Sequence, residues 1–270
     1  MGKYIALALV ALLTTSTAHA YTFGVVPQQA ASTLARLWEP LIERLAERTG
    51  MSLRFATAPD IPSFERRLRN GEYDFAYMNP YHYVVFHQAP GYQALARAKH
   101  RHLQGILVVR KDSAVQGIAE LAGATLAFPA PAAFAASILT QAEFARRGIS
   151  FTPKYVNSHD SVYRAVAQGL YPAGGGVVRT FETIAPEVRD QLRVLWRTRE
   201  YTPHAIAVHP RVDPSLTRAL RDALLALGQA DGEGELLEAL GMEGFEAGAD
   251  ADWNDVRALD LHLLDHLLAE

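Results

Sequence analysis

The chain contains no cysteine in its 270 residues. This absence excludes disulfide bonds, thiol nucleophiles and thiolate metal sites. A formal net charge of −3 gives no electrostatic basis for binding nucleic acid or an anionic membrane. Patterns typical of enzymes are also missing, among them the Gly-x-Ser-x-Gly elbow, the phosphate-binding loop and metallohydrolase spacing. We therefore expect a protein that is not an enzyme and carries no cofactor.

Long apolar runs are missing too, and the one short run lies at the N-terminus. Lys3 precedes an unbroken apolar stretch at residues 5–13, which is too short to span a bilayer. Ala18-His19-Ala20 has the small-x-small pattern of a cleavage site. We predict a signal peptide at residues 1–20 and a soluble mature chain in the periplasm, which we expect to be a monomer.

The remaining sequence alternates strand-like and helix-like segments. Strand patterns at 22–26, 53–56 and 75–78 are separated by amphipathic helices, and a second series of the same kind starts at residue 125. This order predicts an α/β protein with two lobes, each a mixed, mostly parallel sheet flanked by helices. A helical tail is also predicted, from an apolar stripe formed by Val256, Leu259, Leu263 and Leu267.

The predicted boundaries place residues 21–105 and 205–270 in the first lobe and residues 106–204 in the second. Extended stretches at 105–109 and 202–208 are the candidates for chain crossings between the lobes. Gly174-Gly175-Gly176 is too short for a linker and indicates a close approach of backbone at the start of a strand.

Aromatic residues crowd together where the third predicted strand ends. Tyr77, Asn79, Tyr81 and Tyr83 lie around an Asn-Pro turn at its carboxyl end. Ligands of open α/β sheets bind beyond the carboxyl ends of strands, so these side chains are candidates for a pocket wall. The alternative is that the tyrosines fill the core at the strand end.

Polar residues at other strand ends are candidates for the same cleft. Gln28 and Gln29 follow the first strand, with ordinary polarity at a helix start as the alternative. Arg179 follows the glycine-rich strand and could contact an anion through two N–H groups, or pair with Glu182 on the surface. His204 lies in a predicted crossing and faces either the cleft or the hinge.

The ten histidines raise the question of a metal site. His82 and His87 are five residues apart and do not share a helix face well. We predict no metal site, although convergence of these two with His159 and His204 in three dimensions stays open. Residues 99–102 are interpreted as a solvated basic face.

Several motifs occur in an order and spacing characteristic of one family. They are Trp38-Glu39-Pro40-Leu41, Gly71-Glu72-Tyr73-Asp74-Phe75-Ala76, Leu107-Val108-Val109-Arg110-Lys111-Asp112-Ser113, Ser158-His159-Asp160-Ser161-Val162 and Thr202-Pro203-His204-Ala205-Ile206-Ala207-Val208. In these motifs the chain resembles the periplasmic phosphonate/phosphite-type solute-binding proteins of ABC transporters. The resemblance implies a type II binding-protein fold, hinge closure on a small ligand and a permease partner in the inner membrane. A sensory module that partners a membrane histidine kinase is the alternative.

The resemblance also implies where the ligand binds. Family members hold a tetrahedral oxyanion at a helix N-terminus, where N–H groups are free. The matching residues here are Ala132, Ala133 and Phe134, in place of the usual Ser and Thr, and the next hydroxyl belongs to Ser137. Each lost hydrogen bond to a charged ligand removes roughly 1.5–3 kcal/mol. An oxyanion or phosphonate-like ligand is expected, but the usual substrate of the family does not transfer directly.

Two further residues are assigned through the resemblance. His159 matches the ligand-contacting histidine of the family, and Tyr83 is the best match to a tyrosine near the ligand. The alternative for His159 is a helix-capping turn formed with its neighbours Ser158 and Asp160. Pro172 stands where the family often has an acidic residue, which argues against an aminoalkylphosphonate because its ammonium group would lack a partner.

Overall fold

The structure is a computed structural model that describes residues 20–230 and 232–269. The predicted signal peptide lies outside these residues except for Ala20. No helix in the described part of the chain has the length and apolar character that a membrane crossing requires.

The described residues form two sheets. Their strands are β1 (Tyr21–Val25), β2 (Leu53–Ala56), β3 (Phe75–Met78), β4 (Gln93–Ala98), β5 (Gly105–Arg110), β6 (Thr125–Phe128), β7 (Thr152–Tyr155), β8 (Ala173–Val177), β9 (Leu192–Arg197), β10 (Ala205–Val208) and β11 (Phe245–Ala247). The first sheet has the order β11-β4-β10-β3-β1-β2 and the second has the order β7-β6-β8-β5-β9.

Helices cover both sheets. They are α1 (Ala31–Thr49), α2 (Ile61–Arg69), α3 (Pro80–Gln88), α4 (Leu139–Arg146), α5 (His159–Ala167), α6 (Val178–Glu182), α7 (Pro186–Arg189), α8 (Pro214–Leu225), α9 (Glu233–Ala239), α10 (Asn254–Arg257) and α11 (Asp265–Leu268). A single π-helical turn, Phe134–Ile138, leads directly into α4. The predicted α/β class with two helix-flanked sheets is therefore confirmed.

Both sheets are mixed, but less parallel than predicted. β1 pairs in parallel with β2 and β3, and β6 pairs in parallel with β7 and β8, as βαβ units require. β5 and β10 pair antiparallel with both of their neighbours, and β11 does so with β4. β5 follows the crossing into the second sheet, and β10 follows the return to the first sheet. Each of these two strands runs opposite to the strands beside it.

The chain crosses between the sheets at residues 99–104 and returns at residues 198–204. The two crossings are joined by an antiparallel bridge in which Leu103 N donates to Tyr201 O at 2.7 Å and Tyr201 N donates to Leu103 O at 3.0 Å. The prediction of a crossing at 105–109 is wrong, because those residues belong to β5, an interior strand of the second sheet. The predicted return at 202–208 overlaps the true one only up to His204.

Side-chain periodicity explains how each sheet is covered. Along α1, Leu34, Trp38, Leu41 and Leu45 form a buried stripe against the first sheet. Alternate residues of β5 point to opposite faces of the second sheet, so Ile106 lies in one apolar cluster and Leu107 in another. The second sheet is therefore buried on both faces.

The segment before α4 joins the two halves. Phe134 is buried in the same apolar cluster as the first sheet, and its ring lies edge-on to Tyr201, with 5.3 Å between centroids. The backbone of the turn meanwhile packs on the second sheet. A Cβ atom on Gly105 would overlap the carbonyl oxygen of Ala135, and a Cβ atom on Gly175 would overlap that of Ala136. The predicted close backbone approach at the triple glycine is confirmed.

Two local predictions need correction, one for the C-terminal tail and one for the Asn-Pro turn. The C-terminal tail is not one helix, because α10 ends at Arg257 and α11 begins at Asp265. Between them Asp260 takes a left-handed backbone conformation, and Leu263 of the predicted apolar stripe is half exposed. The Asn-Pro turn, in contrast, starts a helix: Asn79 Oδ1 caps α3 by accepting from His82 N at 2.8 Å, and Pro80 takes its first position.

The fit of the π-helical turn against Gly175 generates a stability prediction. We expect Gly175→Ala to lower the free energy of unfolding by about 2–3 kcal/mol, because the added methyl must displace a backbone carbonyl. Gly234→Ala is the matched control, since nothing lies near its Cβ position within α9. Urea denaturation measures both variants, and equal stabilities would contradict the proposed fit.

Candidate functional site

A small cavity lies between the two sheets, and both halves of the chain line it. The space open to the centre of a water molecule is about 10 Å3, which is room for roughly one water. Its polar side chains are Gln28, Asn79, His159 and His204. The rest of the wall is formed by Val26, Ile61, Leu103, Ala133, Phe134, Ala135, Ala136 and Val177.

One wall of the cavity is the start of the π-helical turn. The first N–H groups of a helix have no carbonyl one turn earlier to which they can donate. Among the described residues, the N–H groups of Phe134, Ala135 and Ala136 have no acceptor, whereas Ser137 N donates to Ala133 O at 2.7 Å. The Ser137 hydroxyl is also buried without a partner. This wall therefore presents unused hydrogen-bond donors.

His159 faces this wall from the N-terminus of α5. Ser158 caps that helix, since its hydroxyl accepts from Ser161 N at 3.1 Å, which leaves the His159 ring free of the capping role. The ring nitrogen Nδ1 lies 3.4 Å from the Thr180 hydroxyl. Burial, with Arg179 nearby, lowers the pKa of His159 to about 3. The ring is therefore neutral at physiological pH and carries one N–H donor.

His204 enters the cavity from the returning crossing. Its ring stacks on Tyr77 with 4.9 Å between centroids, and its Nε2 lies 3.1 Å from Gln28 Nε2. Since an amide nitrogen only donates, His204 Nε2 accepts and the proton resides on Nδ1. Arg179 donates in turn to the side-chain oxygen of Gln28. Burial lowers the pKa of His204 well below its usual value, so this ring is neutral as well.

Asn79 is fixed by a buried network behind the cavity. While its oxygen caps α3, its Nδ2 lies 3.1 Å from His82 Nε2 and donates to Ala132 O at 3.3 Å. His82 Nε2 is also 2.9 Å from a carboxylate oxygen of Glu65, and both side chains are almost completely buried. The network holds the Asn79 amide at the edge of the cavity.

The two halves make direct polar contacts beside the cavity. His159 N donates to Gln28 O at 2.8 Å, and Ala30 N donates to the Asp160 carboxylate at 3.2 Å. Gln29 Nε2 donates to the Thr183 hydroxyl at 3.5 Å. Burial raises the pKa of Asp160, because the charged form loses solvation. These contacts hold the structure in a closed arrangement.

The structure brings together only part of the predicted ligand set. Gln28, Asn79, Ala133, Phe134, His159 and His204 line the cavity. Four more flank it: Tyr77 lies under His204, Arg179 holds Gln28, Ala132 accepts from Asn79, and Gln29 bonds across the cleft. Arg179 forms no pair with Glu182 in the described structure, so the surface-pair alternative is wrong.

Tyr81 and Tyr83 lie away from the cavity. The Tyr81 hydroxyl accepts from Leu264 N at 3.0 Å, and the Tyr83 hydroxyl donates to Asp250 at 3.0 Å. Both rings are buried, in agreement with the core-filling alternative.

The central histidines do not form a metal site in the described part of the chain, where no group of three or more metal-ligating side chains comes together. His82 bonds to Glu65, His159 lies beside Thr180, and His204 bonds to Gln28. His87 Nδ1 lies 2.8 Å from Tyr92 O, outside the cavity.

Several lining residues were not predicted. Ala135 and Ala136 extend the amide wall beyond Phe134, and free helix-terminal N–H groups were a signal for them. Val26, Ile61, Leu103 and Val177 supply apolar walls, and no sequence pattern separates them from ordinary core residues. Arg101, interpreted as part of a solvated basic face, instead has a buried Nε atom.

Comparison with known proteins gives concordant matches. The family model described as "ABC transporter, phosphonate, periplasmic substrate-binding protein" matches residues 23–253. The phosphate-import protein PhnD of Mycolicibacterium smegmatis is 24% identical over 226 residues, which cover 74% of this chain and 69% of that protein.

Two solved structures of similar proteins have the same fold as this chain. A binding-protein component of an ABC phosphonate transporter from Pseudomonas aeruginosa superposes with a TM-score of 0.83 at 18% identity, covering 89% of this chain and 85% of that one. PhnD1 from Prochlorococcus marinus, in complex with methylphosphonate, superposes with a TM-score of 0.80 at 15% identity, covering 89% and 96%.

The burial of His159 generates a pH prediction. Its pKa is 6.5 in the unfolded chain and about 3 in the folded one, so between these values the unfolded chain binds a proton that the folded chain does not. The stability is fully present above pH 6.5 and is lost as the pH falls, by at most about 1.4 kcal/mol per pH unit. We expect His159→Gln to remove this part of the slope.

Urea denaturation between pH 7 and pH 4.5 measures that difference between the wild type and His159→Gln. His266→Gln, at an exposed position, is the control and should keep the wild-type slope. Parallel stability curves for the wild type and His159→Gln would show that the His159 ring takes up protons in the folded state.

Proposed function

Because this chain belongs to the family of periplasmic phosphonate-binding proteins of ABC transporters, we propose that the cavity between its sheets binds the phosphonate or phosphate group of a small solute. As a substrate-binding protein of such an importer it delivers its ligand to a membrane permease. The relative from Prochlorococcus marinus holds methylphosphonate, and the relative from Mycolicibacterium smegmatis is a phosphate importer, which makes both compounds the first ligands to consider.

The donor set supports an anion held by neutral groups. The amides of Phe134, Ala135 and Ala136 have no acceptor in the described structure and belong to residues that line the cavity, and free N–H groups at a helix start carry partial positive charge. Neutral His159 adds a side-chain donor, and the Asn79 amide gives the wall a further polar group that carries no charge. Hydrogen bonds to an ionised acceptor are about twice as strong as those between neutral groups. These donors compensate for the hydroxyls that the Ala-Ala-Phe loop lacks.

The charges around the cavity favour the same ligand. No Asp or Glu is among its lining residues, and the guanidinium of Arg179 lies one hydrogen bond behind Gln28. A dianion in a dry site of this kind avoids repulsion and gains from a nearby positive charge. A cationic ligand would find hydrogen-bond donors in this cavity but no carboxylate to balance its charge.

The apolar walls suit a short substituent on phosphorus. Val26, Ile61, Leu103 and Val177 complete the lining opposite the donors. A methyl group on phosphorus would bury its surface against these side chains, whereas a fourth oxygen of phosphate would lose a hydrogen bond there. We infer a preference for methylphosphonate or phosphite over phosphate.

Ligand entry requires the two halves to separate. We propose that residues 21–105 with 205–270 and residues 106–204 move as two lobes about the bridge between Leu103 and Tyr201. Opening breaks the contacts of Gln28 and Ala30 with α5 and enlarges the cavity, which in the present arrangement has room for roughly one water. The sensor-kinase role stays a prediction from the sequence alone.

The single observation that carries this function is that three residues with unpaired amides line one cavity between the sheets together with His159 and Asn79. Isothermal titration calorimetry of the mature chain with methylphosphonate, phosphite, phosphate and sulfate tests it. We expect at least one phosphorus oxyanion to bind with a Kd in the micromolar range or below, and we expect the thermal midpoint to rise on binding.

Asn79→Asp tests whether the bound group is an anion. The new carboxylate still caps α3, so the fold should persist, but it brings a negative charge to the ligand. Affinity at pH 8 should fall by about 100-fold or more, as expected for like charges at about 4 Å in a partly shielded site. His159→Gln should weaken binding by about tenfold, as the loss of one charge-assisted bond predicts.

Tyr83→Phe is the control for packing. Its hydroxyl donates to Asp250 away from the cavity, so the variant should keep the wild-type affinity while losing about 1 kcal/mol of stability. Absence of heat with every oxyanion, or undiminished affinity in Asn79→Asp, would refute the proposed ligand class.

A further inference from the structure

A second cavity lies against the first, at the hinge. It has about 60 Å3 open to the centre of a water molecule, and it shares Leu103 and His204 with the first cavity. The crossing at residues 99–104 forms one side, including Arg101 and His102, and the start of α6 forms another with Arg179. The two cavities are therefore neighbours, with the His204 ring in the wall of both.

The second cavity is lined by positive charge without a counter-ion. Arg101 Nε and Arg179 Nη1 are both buried, and neither has a hydrogen-bond partner in the described structure. No Asp or Glu lines the cavity, and the described residues include no ion pair to either arginine. Buried charged groups are normally paired, because leaving them unpaired is costly. One buried N–H group on each of two arginines at one cavity is thus left without an acceptor, which indicates a missing anion.

A chain of hydrogen bonds connects the walls of the two cavities. Arg179, which lines the second cavity, donates to Gln28, which lines the first, and Gln28 is bonded to His204 between them. The guanidinium of Arg179 also lies 5.9 Å from the centre of the Tyr77 ring. Tyr77 and Met242 give the second cavity an apolar floor that suits a short methylene chain.

We propose that the physiological ligand carries a second acidic group, and that Arg101 and Arg179 bind it while the phosphonate occupies the first cavity. This inference rests on the proposed function, which assigns the phosphonate to the amide wall. The ligand class is then the phosphonocarboxylates, with a carboxylate a few carbons from phosphorus. Guanidinium groups favour this partner because their paired N–H donors match the two oxygens of a carboxylate.

The test compares ligands matched in carbon number. Phosphonoacetate, 3-phosphonopropionate and 4-phosphonobutyrate are titrated calorimetrically beside ethyl-, propyl- and butylphosphonate. At least one phosphonocarboxylate should bind ten times more tightly than its alkyl counterpart. Arg101→Gln should remove that tenfold advantage while leaving the affinity for methylphosphonate within twofold. Arg101→Lys should retain part of the advantage, since it keeps the charge but not the paired donors.

Arg36→Gln controls for the loss of one positive charge, because Arg36 is exposed on α1 and lines neither cavity. It should leave every affinity unchanged. An equal loss of phosphonocarboxylate and methylphosphonate binding in Arg101→Gln would overturn the proposed role of the second cavity. So would alkylphosphonates that bind as tightly as the phosphonocarboxylates of the same carbon number. In both cases the proposed function survives. Absence of binding by methylphosphonate and by every other compound would overturn the proposed function together with the second pocket.

Discussion

The close approach of two backbone segments is the constraint on which the site depends. The carbonyl oxygens of Ala135 and Ala136 occupy the space where side chains would begin at Gly105 and Gly175. This contact holds the turn before α4 against the second sheet, while Phe134 anchors the same turn in the core of the first. The residues with free amides are thereby held at the wall of the cavity between the sheets. Any side chain at either glycine would push the amide wall into the cavity it forms.

Burial determines the chemistry of the other walls. His159 and His204 lie in surroundings so dry that their pKa values fall and both rings stay neutral. Neutral donors bind an anion through directed hydrogen bonds instead of through net charge, and this selects for the geometry of the ligand. Net positive charge is concentrated at the hinge instead, at Arg101 and Arg179. Directed donors and positive charge thus lie on opposite sides of the pair formed by Gln28 and His204.

Much of the architecture could be predicted from local patterns. The strands 53–56 and 75–78 have the bounds that the apolar runs indicate, and a strand begins at residue 125 as predicted. The failures come from tertiary effects. Nothing in the spacing of the tail leucines shows that Asp260 interrupts the helix, because the pattern is the same whether the chain continues or turns. The predicted crossings lie a few residues after the observed ones, because an extended crossing and the end of a strand have the same composition.

Local patterns predicted the class of the fold, and together with the family motifs they made Phe134, Gln28, Asn79, His159 and His204 candidates for one cleft. Hydrophobic period, capping residues and motif order are local properties, and they carry that information. Only the tertiary structure decided that Tyr83 faces Asp250 and that Arg101 faces a cavity. The side on which a side chain lies depends on how helices and crossings pack against distant strands, and no neighbour in the sequence encodes it.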